Sequence, residues 1–251
     1  MGDERAPLVE MFWSVQGEGR WVGRPMAFVR VATCPLRCTY CDTVTSYKAP
    51  AVLPVRCDSG EELQEPNPVA AARADELLQR LMPVGSGRAV SVTGGEPLVA
   101  PAFVHALGAR LRARGDRLHL ETAAIDPGAL ARCVAEVDHL SADYKLPETI
   151  GGADHGEAHA ACCALALERG ATVDVKIVLT PGAAERSLVR ALERLRPLRE
   201  RVLLVLQPVT PCLDEPAPVP PAQLRRAIAL AHERGFDLRV LPQVHKALQV
   251  P

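Results

Sequence analysis

A chain of 251 residues of which 48% are hydrophobic holds enough apolar material for one sizeable core and matches a single α/β domain spanning 1–251. Lys and Arg number 29 against 30 Asp and Glu, a formal net charge of −1, so nothing marks a nucleic-acid or membrane-surface partner. No run approaches the roughly 18 apolar residues of a membrane span, and Met-Gly-Asp-Glu-Arg lacks the basic-then-apolar layout of a signal peptide, so a cytoplasmic location is expected.

In chain order, Val9 to Arg20 ends in Gln16-Gly17-Glu18-Gly19, where two glycines flank polar residues. That reads either as an ordinary turn or as a sharp backbone bend that offers polar groups to a ligand. Residues 27–32 read as a strand; alternation places Phe28, Arg30 and Ala32 on one face. A charge on such a face needs a partner, either a nearby carboxylate or a ligand anion that the guanidinium fork can clamp.

Next come Cys34, Cys38 and Cys41, spaced CxxxCxxC. Three thiolates this close can share one metal centre but leave it one ligand short of four. A distant Cys or His would complete a zinc site; an iron-sulfur cluster would instead keep one iron open for an amine and a carboxylate. Cys57, Cys133, Cys162, Cys163 and Cys212 are scattered and read as core or incidental thiols in a reducing compartment. Residues 48–68 are Pro-rich and irregular and read as a surface insertion with a short strand at 52–56.

Beyond the insertion, helical patterns near 68–82, 101–114, 127–135, 157–169, 183–196 and 221–235 alternate with apolar runs at 89–93, 117–121, 137–141, 172–179, 201–207 and 238–242. Such alternation means parallel βαβ units and a closed or partly open barrel. Barrel ligands sit at the carboxyl ends of strands, and the unusual polar residues fall there: Thr93-Gly94-Gly95-Glu96-Pro97, Glu121-Thr122, Ser141 to Lys145, Gln207 to Thr210, and Gln243 to Lys246. The paired glycines let main-chain amides approach a ligand, and Glu96 can accept a hydrogen bond from an ammonium group. Asp174 and Lys176 share a strand face and read as a structural ion pair inside the barrel; His245 reads as a structural histidine.

Tyr40 before the last cysteine, with Gly94 to Pro97 downstream, is similar to the signature of the radical S-adenosylmethionine superfamily. The joined motifs Gln16 to Gly19, Gly23-Arg24-Pro25, Phe28 to Arg30, Cys41-Asp42-Thr43, Thr93 to Pro97, Glu121-Thr122, Gln207 to Thr210 and Gln243 to Lys246 resemble, in order, the 7-carboxy-7-deazaguanine synthase (QueE) family of queuosine biosynthesis. Three places depart from its pattern: Ala123-Ala124 replaces an Asn-Gly pair, Ser141 to Lys145 replaces Ser-Pro-Lys, and the insertion 48–68 has no obvious counterpart.

The resemblance implies a partial (βα)6 TIM-like barrel with a trimmed helical layer. It implies a 4Fe-4S cluster on the three cysteines, S-adenosylmethionine, and Mg2+ on Thr43, whose hydroxyl could otherwise bond its own loop. It also implies removal of hydrogen from C6 of 6-carboxy-5,6,7,8-tetrahydropterin, ring contraction and loss of ammonia. Substrate would be lined by Val15, Gln16, Gly17 and Thr93, clamped by Arg30 and faced by Pro251. S-adenosylmethionine would meet Tyr40, Cys41 and Asp42, then Gly95 and Glu96, then Ser141, Asp143 and Lys145, and finally Gln207, Pro208, Val209 and Thr210. Homodimers and an electron donor such as flavodoxin or ferredoxin are expected on the same ground. Rival readings are another radical enzyme, such as a glycyl-radical activase, and an iron-sulfur electron carrier without chemistry of its own.

Overall fold

The structure, a computed structural model, describes residues 4–57, 59–82, 87–212 and 217–251; residues 1–3, part of the stretch read for a leader, lie outside them. The chain opens with β1 (Arg5–Ala6), β2 (Leu8–Val15) and β3 (Pro25–Val31), followed by the hairpin β4 (Val52–Arg56) and β5 (Glu62–Pro66), then β6 (Val69–Ala70) and α1 (Ala71–Leu81). Strand and helix then alternate: β7 (Ala89–Gly94), α2 (Pro101–Ala113), β8 (Arg117–Thr122), α3 (Pro127–Ala131), β9 (His139–Tyr144), α4 (Gly156–Glu168), β10 (Thr172–Leu179), α5 (Glu185–Leu195), β11 (Val202–Pro208), α6 (Pro221–Glu233), β12 (Asp237–Val240) and α7 (Val244–Leu248).

One ten-stranded sheet runs β12-β11-β10-β9-β8-β7-β3-β2-β4-β5. From β3 to β12 every pair is parallel. Six βα units are thus followed by one further strand, and the sheet stays open, which is the partial barrel expected. β10 and β11 read as near-continuous apolar runs because both their faces are covered, and all but Thr172 and Pro208 are buried. Helices supply the outer layer through apolar stripes. On α5, Leu188, Leu192 and Leu195 recur at helical spacing and are at most 4% exposed, each burial contributing about 1.5–3 kcal/mol.

The lower part of the barrel interior is polar and aromatic. Trp21, from the loop joining β2 to β3, stacks on His139 at 4.9 Å and lies 5.4 Å from His119. His139 Nε2 meets Asp174 Oδ1 at 2.5 Å, Ser141 Oγ donates to Asp174 Oδ2 at 3.1 Å, and the Arg20 amide donates to Asp174 Oδ1 at 3.2 Å. Burial, then the neighbouring His139, pushes His119 down to about 3.

Several elements differ from the sequence expectation. The strand expected at 137–141 is 139–144, because Val134–Glu136 forms a tight turn and the Asp138 carboxylate accepts from the Leu118 amide at 2.8 Å. The helix expected over 127–135 stops at Ala131 for the same turn. β1, β2, β5, β6 and α7 were not expected at all. Asp174 and Lys176 do not pair with each other; each turns to groups on other elements.

Candidate active site

The polar ends of β7, β8, β9 and β11, the loop after β2, and α7 enclose one open cavity of ≈1280 Å³, mouth included. All five sequence tails reach it, through Thr93, Glu121, Asp143, Gln207 and His245 among others.

Cys34, Cys38 and Cys41 line the same cavity and form no disulfide. Their loop leaves β3 through Thr33, a β-branched residue at φ 78, a conformation that costs about 1–3 kcal/mol and persists only where neighbours hold it. Here the Thr33 amide donates to Ser46 O at 2.7 Å and its carbonyl accepts from the Glu96 amide at 2.9 Å. Burial raises the Cys34 thiol and pushes Cys38 up to about 11. Among the described residues no three His, Cys, Asp or Glu groups already stand in a ligating array. The donor chemistry nevertheless fits a 4Fe-4S cluster: three thiols of one loop share a wall that no further cysteine joins, leaving one iron for an exogenous ligand.

Beside the cysteines, Gly94 and Gly95 line the cavity, but close strand packing is what requires them. A Cβ on Gly94 (φ 141) would lie 2.2 Å from Val31 O, and one on Gly95 2.2 Å from Thr33 O. Glu96, expected to accept from an ammonium group, instead turns inward: it bonds Thr122 Oγ1 at 2.5 Å and the amides of Leu98 and Ala123 at 2.9 Å each. Ser141 is likewise spent on Asp174, and neither it nor Pro208 lines the cavity. Tyr40, Cys41, Asp42, Asp143, Lys145, Gln207, Val209 and Thr210 do line it. Tyr40 Oη, Asp143 Oδ1 and Gln207 Oε1 are buried without a protein partner, the condition in which a bound ligand supplies the missing hydrogen bond. Ala124 adopts φ 52, in the left-handed region that a glycine enters more easily.

Val15, Gln16, Gly17, Arg30, Thr93 and Pro251 line the same cavity. Arg30 Nε donates to Glu10 Oε1 at 2.8 Å, so carboxylate partner and cavity position coexist. Pro251 O accepts from Ser14 Oγ at 2.8 Å. Gln16 spends its side-chain oxygen on the Glu18 amide at 3.2 Å. Thr43 donates to Asp42 Oδ1 at 2.9 Å.

The sequence reading took Lys176 for the structural partner of Asp174, whereas it stands at the charged centre of the cavity. Lys176 Nζ donates to Glu18 Oε2, to Glu121 Oε1 at 3.0 Å, and lies 3.4 Å from Asp143 Oδ2, which also takes Lys145 Nζ at 2.7 Å. Burial opposes the Lys176 charge, but Asp143, Glu18 and Glu121 override it and hold the ammonium well above its ordinary range. Its placement at mid-strand, pointing with Asp174 into the barrel, was the available signal. Gln243 and His245, both on or next to α7, were also outside the expected site set. Gln243 donates to Glu18 Oε1 at 2.7 Å and to Asp42 Oδ2 at 3.0 Å, and His245 packs on Gly17.

Residues 29–195 match the model of the radical SAM superfamily. A 7-carboxy-7-deazaguanine synthase of Methanopyrus kandleri is 38% identical over 243 residues, 95% of this chain and 92% of that protein. The chain belongs to the 7-carboxy-7-deazaguanine synthase family. A Geobacter sulfurreducens member is 31% identical over 98% of both chains. QueE from Escherichia coli, at 23% identity, shares the fold with a TM-score of 0.64 over 94% of this chain and 93% of that one. A domain of pyruvate-formate lyase-activating enzyme from Bacteroides vulgatus covers 62% of this chain with a TM-score of 0.50 and 18% identity. The expected fold and family therefore hold, and the synthase family prevails over an activase. As a radical SAM synthase the chain is an enzyme whose cofactors are a 4Fe-4S cluster and S-adenosylmethionine. No helix among the described residues is long and apolar enough to cross a membrane.

Proposed function

We propose that the protein converts 6-carboxy-5,6,7,8-tetrahydropterin to 7-carboxy-7-deazaguanine with loss of ammonia. The observation that carries this reading is that the three cysteines and Gln16, Gly17 and Arg30 line one and the same cavity. When bound, the cluster and S-adenosylmethionine supply the electron and the carbon radical for hydrogen removal; the chain's own residues do the rest.

Cys34, Cys38 and Cys41 would hold the cluster, and Asp143, Gln207 and Tyr40 would accept or donate to the cofactor through their unpartnered atoms. Arg30 keeps its terminal nitrogens for the substrate carboxylate while Nε rests on Glu10. Main chain at Val15 to Gly17 and the Thr93 hydroxyl face the pterin edge. Thr43 and the substrate carboxylate together suit Mg2+, which takes few protein ligands and keeps its waters. Lys176, held cationic, ties Glu18, Glu121 and Asp143 together in the same cavity.

A reductant such as flavodoxin or ferredoxin, a homodimeric state and a cytoplasmic location complete the reading. Anaerobic incubation of reconstituted protein with S-adenosylmethionine, dithionite, Mg2+ and the carboxytetrahydropterin tests it by mass analysis. The expected product is 7-carboxy-7-deazaguanine; cleavage of S-adenosylmethionine with the pterin untouched would refute it.

A further inference from the structure

β2 lies between β3 and β4 in the sheet, and the registers set Glu10 opposite Arg30, and Phe12 opposite both Phe28 and Arg56. Period two therefore brings a cation from each neighbouring strand onto the face of β2 that carries Glu10 and Phe12. On that face Arg30 Nε holds Glu10 Oε1 at 2.8 Å while Arg56 Nη2 holds Glu10 Oε2. The two guanidinium carbons stand 5.8 and 5.5 Å from the centroid of Phe12, which stacks on Phe28 at 5.0 Å. Arg30, Phe12 and Phe28 line the cavity; Arg56 does not.

Arg56 ends β4 of the β4–β5 hairpin, within the stretch 48–68 that none of the motifs shared with the family covers. Its charge matters to its neighbours. Arg30 with Glu10 alone sums to zero and cannot attract an anion strongly; with Arg56 the trio carries +1. A Glu10 released by Arg56 can also turn its second oxygen to Arg30 and form the fork-to-fork pair that guanidinium and carboxylate favour, taking up the nitrogens a substrate carboxylate needs.

We propose that Arg56 is a positioning residue for substrate: by occupying one Glu10 oxygen it leaves the Arg30 guanidinium fork uncancelled and open toward the cavity, so the β4–β5 hairpin sets how well a carboxylated pterin is held. This rests on the reading of Arg30 as the carboxylate clamp. The test uses cluster-loaded enzyme with S-adenosylmethionine and titrates two probes by calorimetry, pterin-6-carboxylate and pterin without the carboxylate. Arg56→Gln is expected to weaken the carboxylated probe about fivefold, the scale of a partly exposed ion pair, and to leave the plain pterin unchanged. KM for the carboxytetrahydropterin should rise in step while kcat stays within about twofold, and Arg56→Lys should restore most of the loss.

The same substitution made on a Glu10→Gln background, where no carboxylate cancels Arg30 or competes for its nitrogens, should weaken the carboxylated probe far less than in the parent and leave the plain pterin unchanged. Equal weakening of both probes, or no effect of Arg56→Gln while Arg30→Gln abolishes the preference for the carboxylate, would overturn the proposal and leave the clamp standing. Arg30→Gln with the preference intact would overturn the clamp reading itself.

Discussion

Replacing Lys176 by Met removes the one cation shared by Glu18, Glu121 and Asp143 and fills its volume with an apolar side chain. Asp143 keeps Lys145 at 2.7 Å, so the two glutamates bear the loss, left with Gln243 at 2.7 Å and Thr93 at 3.3 Å. Breaking a buried pair costs about 3–5 kcal/mol; Lys176 is 4% exposed but the glutamates are 10% and 20%, which places the cost near 3 kcal/mol. At about 2–4 °C per kcal/mol for a chain this size, the midpoint should fall by about 6–12 °C. Thermal unfolding of metal-free parent and variant side by side at pH 8 measures it. A deficit absent there would refute the account of Lys176 as the electrostatic keystone of the cavity.

His119, held near 3 inside the fold against an ordinary value of about 6.5, binds its proton first in the unfolded chain. Its contribution is complete above pH 6.5 and is lost as pH falls toward 3, about 2 kcal/mol by pH 5, so His119→Asn should flatten the acid limb of a Tm profile. Gly17→Ala would put a methyl 2.0 Å from His245 Nδ1 and 2.7 Å from its main-chain nitrogen; α7 should lift, raising KM and exposing residues 244–251 to limited proteolysis while far-UV dichroism holds. Cys38→Ser should leave the metal-free Tm unchanged yet bind little iron and sulfide after anaerobic reconstitution; full loading would exclude Cys38 as a ligand.

The barrel was legible because parallel strands buried on both faces must be apolar along their whole length, and stretches such as 172–179 and 201–207 are. β2 was not, because its alternation is interrupted by an irregularity between Leu8 and Glu10 and it runs straight into the glycine turn that drew the reading. α7 buries none of its five residues and so prints no periodic signal. The rim of the site was visible as polar tails, whereas the direction each side chain takes was not. Glu96 lies next to Gly95, which lines the cavity, yet closes on Thr122 instead. The expected Asp174–Lys176 pair failed on distance: residues two apart on a strand are about 7 Å apart along it, while a neighbouring strand lies about 4.8 Å away.

α7 and the residues after it are tied to sequence-distant partners by a few bonds: Val244 N to Gly17 O at 2.9 Å, Gln243 to Glu18 and Asp42, and Ser14 to Pro251. With no apolar anchor beneath it, this latch belongs to the low end of the local stability scale. Warming or mild denaturant should release it first, opening the catalytic chamber while the sheet and its helices persist. Inactivation would then run ahead of global melting, and a sample that still looks folded by dichroism could already have lost its grip on substrate.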